Sequence, residues 1–338
     1  MSLRKLKTIV LFAVVAFAAA ACKDEEKETL PSLSGLYFDC PHYVSPGQAV
    51  RMTPKGVKHP EGGELGYKWR VTPTMSGYDT TNVYVHWFSD TLQTYTVTCT
   101  AFAEGYSGST STRKVEVVKG GLDGSITETG IKSTDSKVTV GGVDYYYRQI
   151  GNLEWFRNNL ASAESGVAYL NEEVVSDIFG RFYSYNDAVD ACPEGWRLPS
   201  EEDWMSLAEA LDSPASSKYE SFQDVTAKLL ANAYFNSNAM LEYWPQVGDV
   251  TNESKLAFMP FGFVNLGQKD ASGKYPEAKF EGMSEYVAVW TSDKVEGDEG
   301  MAYYRYIISD QPEMLVGKGD VNTFGAQVRC VRDVEVAE

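Results

Sequence analysis

The side chains of this 338-residue chain with the most chemistry to offer are five cysteines and one short run of acids. Cys22 follows Ala19-Ala20-Ala21 and an apolar run that starts at Ile9, behind the basic Arg4, Lys5 and Lys7. Thirteen apolar residues are too few for a permanent transmembrane helix, and the layout is that of an export signal. Small residues ahead of a cysteine suit cleavage just before a thiol that then takes a lipid. Residues 1–21 are therefore expected to be a lipoprotein signal peptide and Cys22 the lipidated residue. Cys40, Cys99, Cys192 and Cys330 remain, an even count that in an exported chain points to two disulfides among three pairings.

The acids lie in "TSDKVEGDEG", where Asp293, Glu296, Asp298 and Glu299 fall within seven residues. Oxygen-rich loops can hold Ca²⁺, but the plainer reading is a solvated hairpin tip, and no metal is assigned. Nearby Trp290 and Tyr304 complete the candidate ligand loop, because aromatic rings stack on ligands; Trp244, Tyr303 and Tyr306 are weighed for the same role, against buried strand packing. The histidines are His42, His59 and His86, all in the first third of the chain, so no Ser/His/Asp arrangement is assembled. No CxxC, HExxH, EF-hand or P-loop occurs, and no catalytic residue or cofactor is assigned.

A net charge of −17 repels nucleic-acid backbones and anionic lipid surfaces, which argues against both as partners. Residues 22–32 read as an acidic tether opening on Lys23-Asp24-Glu25-Glu26. That opening resembles the Lys-plus-acids export signal of Bacteroidetes lipoproteins, which implies the outer face of the outer membrane. Short alternating runs follow, among them "LGYKWRVTP" and "TYTVTCTAFA", rich in Val, Thr and Tyr and punctuated by turn residues. Residues 33–119 are therefore expected to form an all-β sandwich resembling Ig-like and PKD-like modules, with Trp69 in its middle and Tyr95, Val97 and Cys99 on one face. "KGGLDGS", residues 119 to 125, reads as a linker with little to pack. This map selects Cys40–Cys99 and Cys192–Cys330, since each pair then lies within one domain. It departs from the antibody pattern, because Cys40 is on the first strand.

Beyond the linker the period turns helical. In "FGRFYSYNDAVDACPEGWRLPSEEDWMSLAEALD" a short helix ends near Cys192 and Pro193-Glu194-Gly195 breaks it. Ser200 is a good N-cap with Asp203 three residues on, and Glu201, Glu202 and Asp203 suit the helix N-terminus. A further helix is expected over "QDVTAKLLANAYF". This stretch resembles the Fibrobacter succinogenes major paralogous domain. "GNLEWFRNNL" precedes it, and Phe258-Met259-Pro260-Phe261-Gly262, Trp290-Thr291-Ser292 and "VRCVRD" follow in the family's order. The likeness covers residues 125–334, with Phe156 where the family often has methionine. It implies an α+β, C-type-lectin-like domain with its chain ends together, and a Cys192–Cys330 bond. "WRLPSEEDW" is also similar to a segment of formylglycine-generating enzymes, but those need two cysteines near the C-terminal part and this chain has only Cys330 there. The expected protein is a surface lipoprotein, not an enzyme, anchored to outer-membrane lipid through Cys22. Its expected partner is an extracellular glycan or protein, bound in adhesion or capture; the alternative is a structural or assembly component with no small ligand.

Overall fold

Alternating sequence builds most of this molecule, and the computed structural model describes residues 30–162, 164–236 and 250–334 of it. The expected signal peptide, Cys22, most of the tether and Trp244 lie outside the described residues. The fold is mostly β with few and short helices, the longest being Glu201–Ala210.

In the N-terminal part, strands Tyr43–Val44, Ser109–Val117, Thr94–Phe102 and Gly66–Thr72 form one sheet in that order. Ala49–Met52 pairs with Tyr84–Trp87, and Tyr37–Phe38 with Pro54–Lys55. The period-two pattern buries Tyr95, Val97, Cys99 and Ala101 completely on one face of Thr94–Phe102. These residues share one core with Phe38, Met52 and Trp69; the Trp69 indole stacks on Tyr84 at 5.7 Å and meets the Phe38 ring edge-on at 5.1 Å.

The expected Cys40–Cys99 bond does not form: both cysteines are free. Cys99 is buried mid-sheet, opposite Trp69 and Ser111, whereas Cys40 follows a strand of a different sheet and lies beside Glu172 and Arg113. Each thiol serves as a small apolar group packed on the core.

Residues 119–125 are not slack. Ser125 is buried and its N–H donates to the Lys119 carbonyl at 2.6 Å. Around it the two parts of the chain are fastened together. The Glu172 carboxylate accepts from the backbone N–H groups of His42 at 2.8 Å and Tyr43 at 2.7 Å. Tyr43 and Val118 join an apolar cluster with Val175, Phe179 and Phe261.

In the C-terminal part, Lys137–Val140, Val143–Ile150, Leu153–Phe156 and Val331–Asp333 form an antiparallel sheet, so the final strand returns to pair with a strand near the start. The second sheet orders Tyr286–Val295, Asp298–Ile308 and Met314–Asp320. Cys192 and Cys330 are bonded, with Cα atoms 5.8 Å apart and 138 positions between them. The helix before Cys192 covers only Tyr185–Ala188, and Val189 just beyond it is exposed. The helix expected at residues 223–235 shrinks to Thr226–Leu229. Its ends are taken by tertiary pairing: Phe222 exchanges backbone bonds with Met314, Leu230 bridges Phe258, and Tyr234–Phe235 pairs with Ile126–Thr127. Local helix propensity is a weak term against such pairing.

Closing so long a loop stabilises by about 4–5 kcal/mol in the chain-entropy model. Non-reducing peptide mapping is expected to join the Cys192 and Cys330 peptides and leave Cys40 and Cys99 unjoined. Cys192→Ala should cost about 2–5 kcal/mol in denaturant unfolding. Burial pushes the Cys99 thiol up to about 12, and burial with the nearby Glu172 does the same to Cys40, so neither should alkylate at neutral pH until the chain unfolds. A recovered Cys40–Cys99 peptide would contradict this assignment.

Candidate functional site

The "WRLPSEEDW" segment builds the seam between helix and sheet. Ser200 Oγ accepts from Asp203 N–H at 3.2 Å and Asp203 Oδ2 accepts from Ser200 N–H at 2.7 Å, a reciprocal capping box. Burial raises the Asp203 carboxyl, but the Arg197 guanidinium and the Ser200 N–H outweigh it and hold the group below the usual carboxylate range. Glu201 does more than complement a helix dipole. It is fully buried and forms a two-pronged pair with Arg305, also fully buried: Arg305 Nε donates to Oε1 at 3.1 Å, and Nη2 donates to Oε2. Arg305 Nη1 donates to the Glu220 carbonyl at 2.5 Å, and the guanidinium lies 3.8 Å from the centre of the Phe222 ring.

The acidic loop is dispersed by the fold. Asp293 accepts from the Glu201 N–H at 2.9 Å and so caps the same helix. Glu299 pairs with Lys294 at 3.0 Å, Asp298 accepts from Gly300 N–H at 3.1 Å, and Glu296 is exposed at the hairpin tip. Among the described residues no three His, Cys, Asp or Glu side chains converge as metal ligands. Trp290 is fully buried and its indole N–H donates to the Tyr183 carbonyl at 2.7 Å, which corrects its place in the candidate ligand loop: it presents no face to a ligand.

Tyr304 leads to a different surface. In the three-stranded sheet Trp290, Tyr304 and Gly317 stand side by side, and so do Ala288, Tyr306 and Leu315. Directly opposed residues share a face, so one side of this sheet carries Val289, Arg305 and Val316 toward the helix, and the other carries the tyrosines. On that second side five partly buried rings adjoin: Phe263, Tyr286, Tyr304, Tyr306 and Phe324, of which Phe263, Tyr304 and Phe324 pack against the core. Tyr304 lies 4.5 Å from Phe324 and 5.7 Å from Tyr306, Tyr306 stacks with Tyr286 at 6.5 Å, and Phe263 lies 5.7 Å from both Tyr286 and Phe324. Burial, then Tyr306 and Tyr286, raises the Tyr304 hydroxyl above its ordinary range, so it is a neutral donor at physiological pH.

Two glycines make this platform flat. A Cβ on Gly317 would come within 2.4 Å of the Tyr304 ring, and one on Gly319 within 2.5 Å of the Phe324 ring. The rings therefore lie down on the strand where a side chain would have held them off. Sequence reasoning missed Phe263, Tyr286 and Phe324. The available signal was the alternation of Gly317-Lys318-Gly319 beside Tyr304-Arg305-Tyr306, whose bare strand face only the strand register reveals.

The chain belongs to the Fibrobacter succinogenes major domain family, whose model matches residues 149–332 and so takes in helix seam, staple and aromatic face together. No curated protein matches the chain.

Removing one partner of a buried ion pair strands the other. Glu201→Gln should cost about 3–5 kcal/mol in denaturant unfolding, while the double change Glu201→Leu with Arg305→Met should cost clearly less than Arg305→Met with Glu201 retained. Additive losses would show that the pair is not coupled.

Proposed function

We propose that the chain is a lipid-anchored protein of the outer cell surface that captures an extracellular glycan or protein ligand through the aromatic face of its family domain. The observation that carries this reading is the cluster of five adjoining, partly buried rings, two of which, Tyr304 and Phe324, lie over Gly317 and Gly319. Adjoining aromatics that keep part of their surface in water offer broad apolar contact at little conformational cost. The tyrosines add hydroxyls at the margin, which suits a ligand with both apolar faces and polar edges, as a sugar ring has. The pairing of Leu153–Phe156 with Val331–Asp333 brings the domain's ends together, which supports a C-type-lectin-like fold. The shared core of the N-terminal strands supports an Ig-like or PKD-like spacer that lifts this domain from its anchor.

The anchor rests on the small-residue run before Cys22. Cys22→Ser should abolish lipid labelling and release the protein from the membrane fraction; labelling that persists would refute it. The ligand reading is tested with the mature protein on glycan and matrix-protein arrays. Binding is expected, and Tyr304→Ala with Tyr306→Ala should weaken it at least tenfold, an aromatic hot spot being worth about 2 kcal/mol or more. Absence of any binding, or binding indifferent to the double variant, would favour a structural role for the domain.

A further inference from the structure

A second site lies on another part of the domain. Four arginines are buried among the described residues: Arg157, Arg181, Arg305 and Arg329. Three are paired with carboxylates, Arg157 with Asp135, Arg181 with Glu173 and Arg305 with Glu201. Arg329 has none. Its Nε donates to Asn159 Oδ1 at 2.5 Å and its Nη1 to the carbonyls of Leu256 at 2.7 Å and Phe156 at 3.2 Å. Nη2 has one long contact, 3.5 Å to the Ala257 carbonyl. The Phe258 ring lies 4.2 Å from the guanidinium. A buried charge without a counter-ion is expensive, and burial together with the neighbouring Arg157 lowers its affinity for the proton.

Arg329 and Arg157 both line a cleft of about 310 Å³. That volume is at the lower end of small-molecule sites. Of these two arginines only Arg157 has a carboxylate partner, that of Asp135. Asn158 also lines it; its Oδ1 accepts from Tyr146 N–H at 3.0 Å, and its amide nitrogen has no partner among the described residues. Ile126, Ile131, Met259 and Phe261 supply apolar wall. Of the acids there, Asp144 is neutralised by Lys137 at 2.5 Å, and Asp177 is exposed, as is Lys119.

We propose that this cleft binds a small organic carboxylate. Its carboxylate supplies the counter-charge that Arg329 lacks and accepts from the Asn158 amide, and its apolar body lies against Ile126, Ile131, Met259 and Phe261. Charge-assisted hydrogen bonds are the strong ones, which gives the charged end its share of the affinity.

The test uses the mature protein with 4-phenylbutanoate, 4-phenylbutanamide and inorganic phosphate, read by saturation-transfer NMR and by the shift in Tm that ligand binding produces. Phenylbutanoate should bind and raise Tm, and the amide and phosphate should bind at least tenfold more weakly. Asn158→Asp keeps an acceptor for the Tyr146 N–H, so it should fold normally, but it places a carboxylate in the cleft and should weaken phenylbutanoate at least tenfold. Equal binding of the amide would reduce the site to an apolar crevice. Equal binding of phosphate would remove the organic body from the recognition. No binding at millimolar phenylbutanoate, or binding unchanged in Asn158→Asp, would overturn the proposal outright.

Discussion

The Glu201–Arg305 pair is the interaction on which the C-terminal part depends. Both groups are fully buried, so neither could be there without the other. The pair places the N-terminus of the Glu201–Ala210 helix against the middle strand of the three-stranded sheet, where Asp293 from the neighbouring strand caps it. Choosing that face for the helix leaves the opposite face for Tyr304 and Tyr306, because neighbours along a strand point to opposite sides. The aromatic surface is thus a consequence of where one guanidinium was buried.

A second constraint closes the chain on itself. Val331–Asp333 pairs with Leu153–Phe156, Arg197 exchanges backbone bonds with Val331, and Cys330 is bonded to Cys192. Arg329, next to Cys330, is carried inward by that return and lodged where its bonding groups are carbonyls and one asparagine. The staple, the terminal strand and the unpaired guanidinium are therefore parts of one arrangement. The N-terminal strands join it through Glu172, whose carboxylate holds the backbone of His42 and Tyr43, and through Asn236, which donates to the Val117 carbonyl at 3.1 Å. Such contacts at the junction make the two parts mechanically coupled, despite the glycines between them.

Much of this was legible along the chain because the governing physics is local. Alternation in "TYTVTCTA" named the buried face of its strand, and Ser200 with Asp203 named the helix start, each from groups within a few residues of one another. The separated motifs from "GNLEWFRNNL" to "VRCVRD" indicated the family, and the matched residues bear that out. What local pattern could not supply was which distant groups meet. Cys40 and Cys99 have the count and compartment for a bond, yet Cys99 sits within one sheet and Cys40 lies just past a strand of another. Thr226–Leu229 stops where its flanks are claimed by strands far along the chain. Glu201 read as a helix-terminal acid and is the buried partner of a residue 104 positions away. Trp290 and Tyr304 read alike as candidate ligand rings and share one face of the sheet, but depth leaves the first fully buried and the second only partly so. Sequence by itself determined the alternating strands such as Thr94–Phe102, the Ser200 cap and the family, since those follow from spacing. Tertiary structure decided which charges are paired and which rings face water, since those depend on register and burial, and both are set only when the sheet has closed.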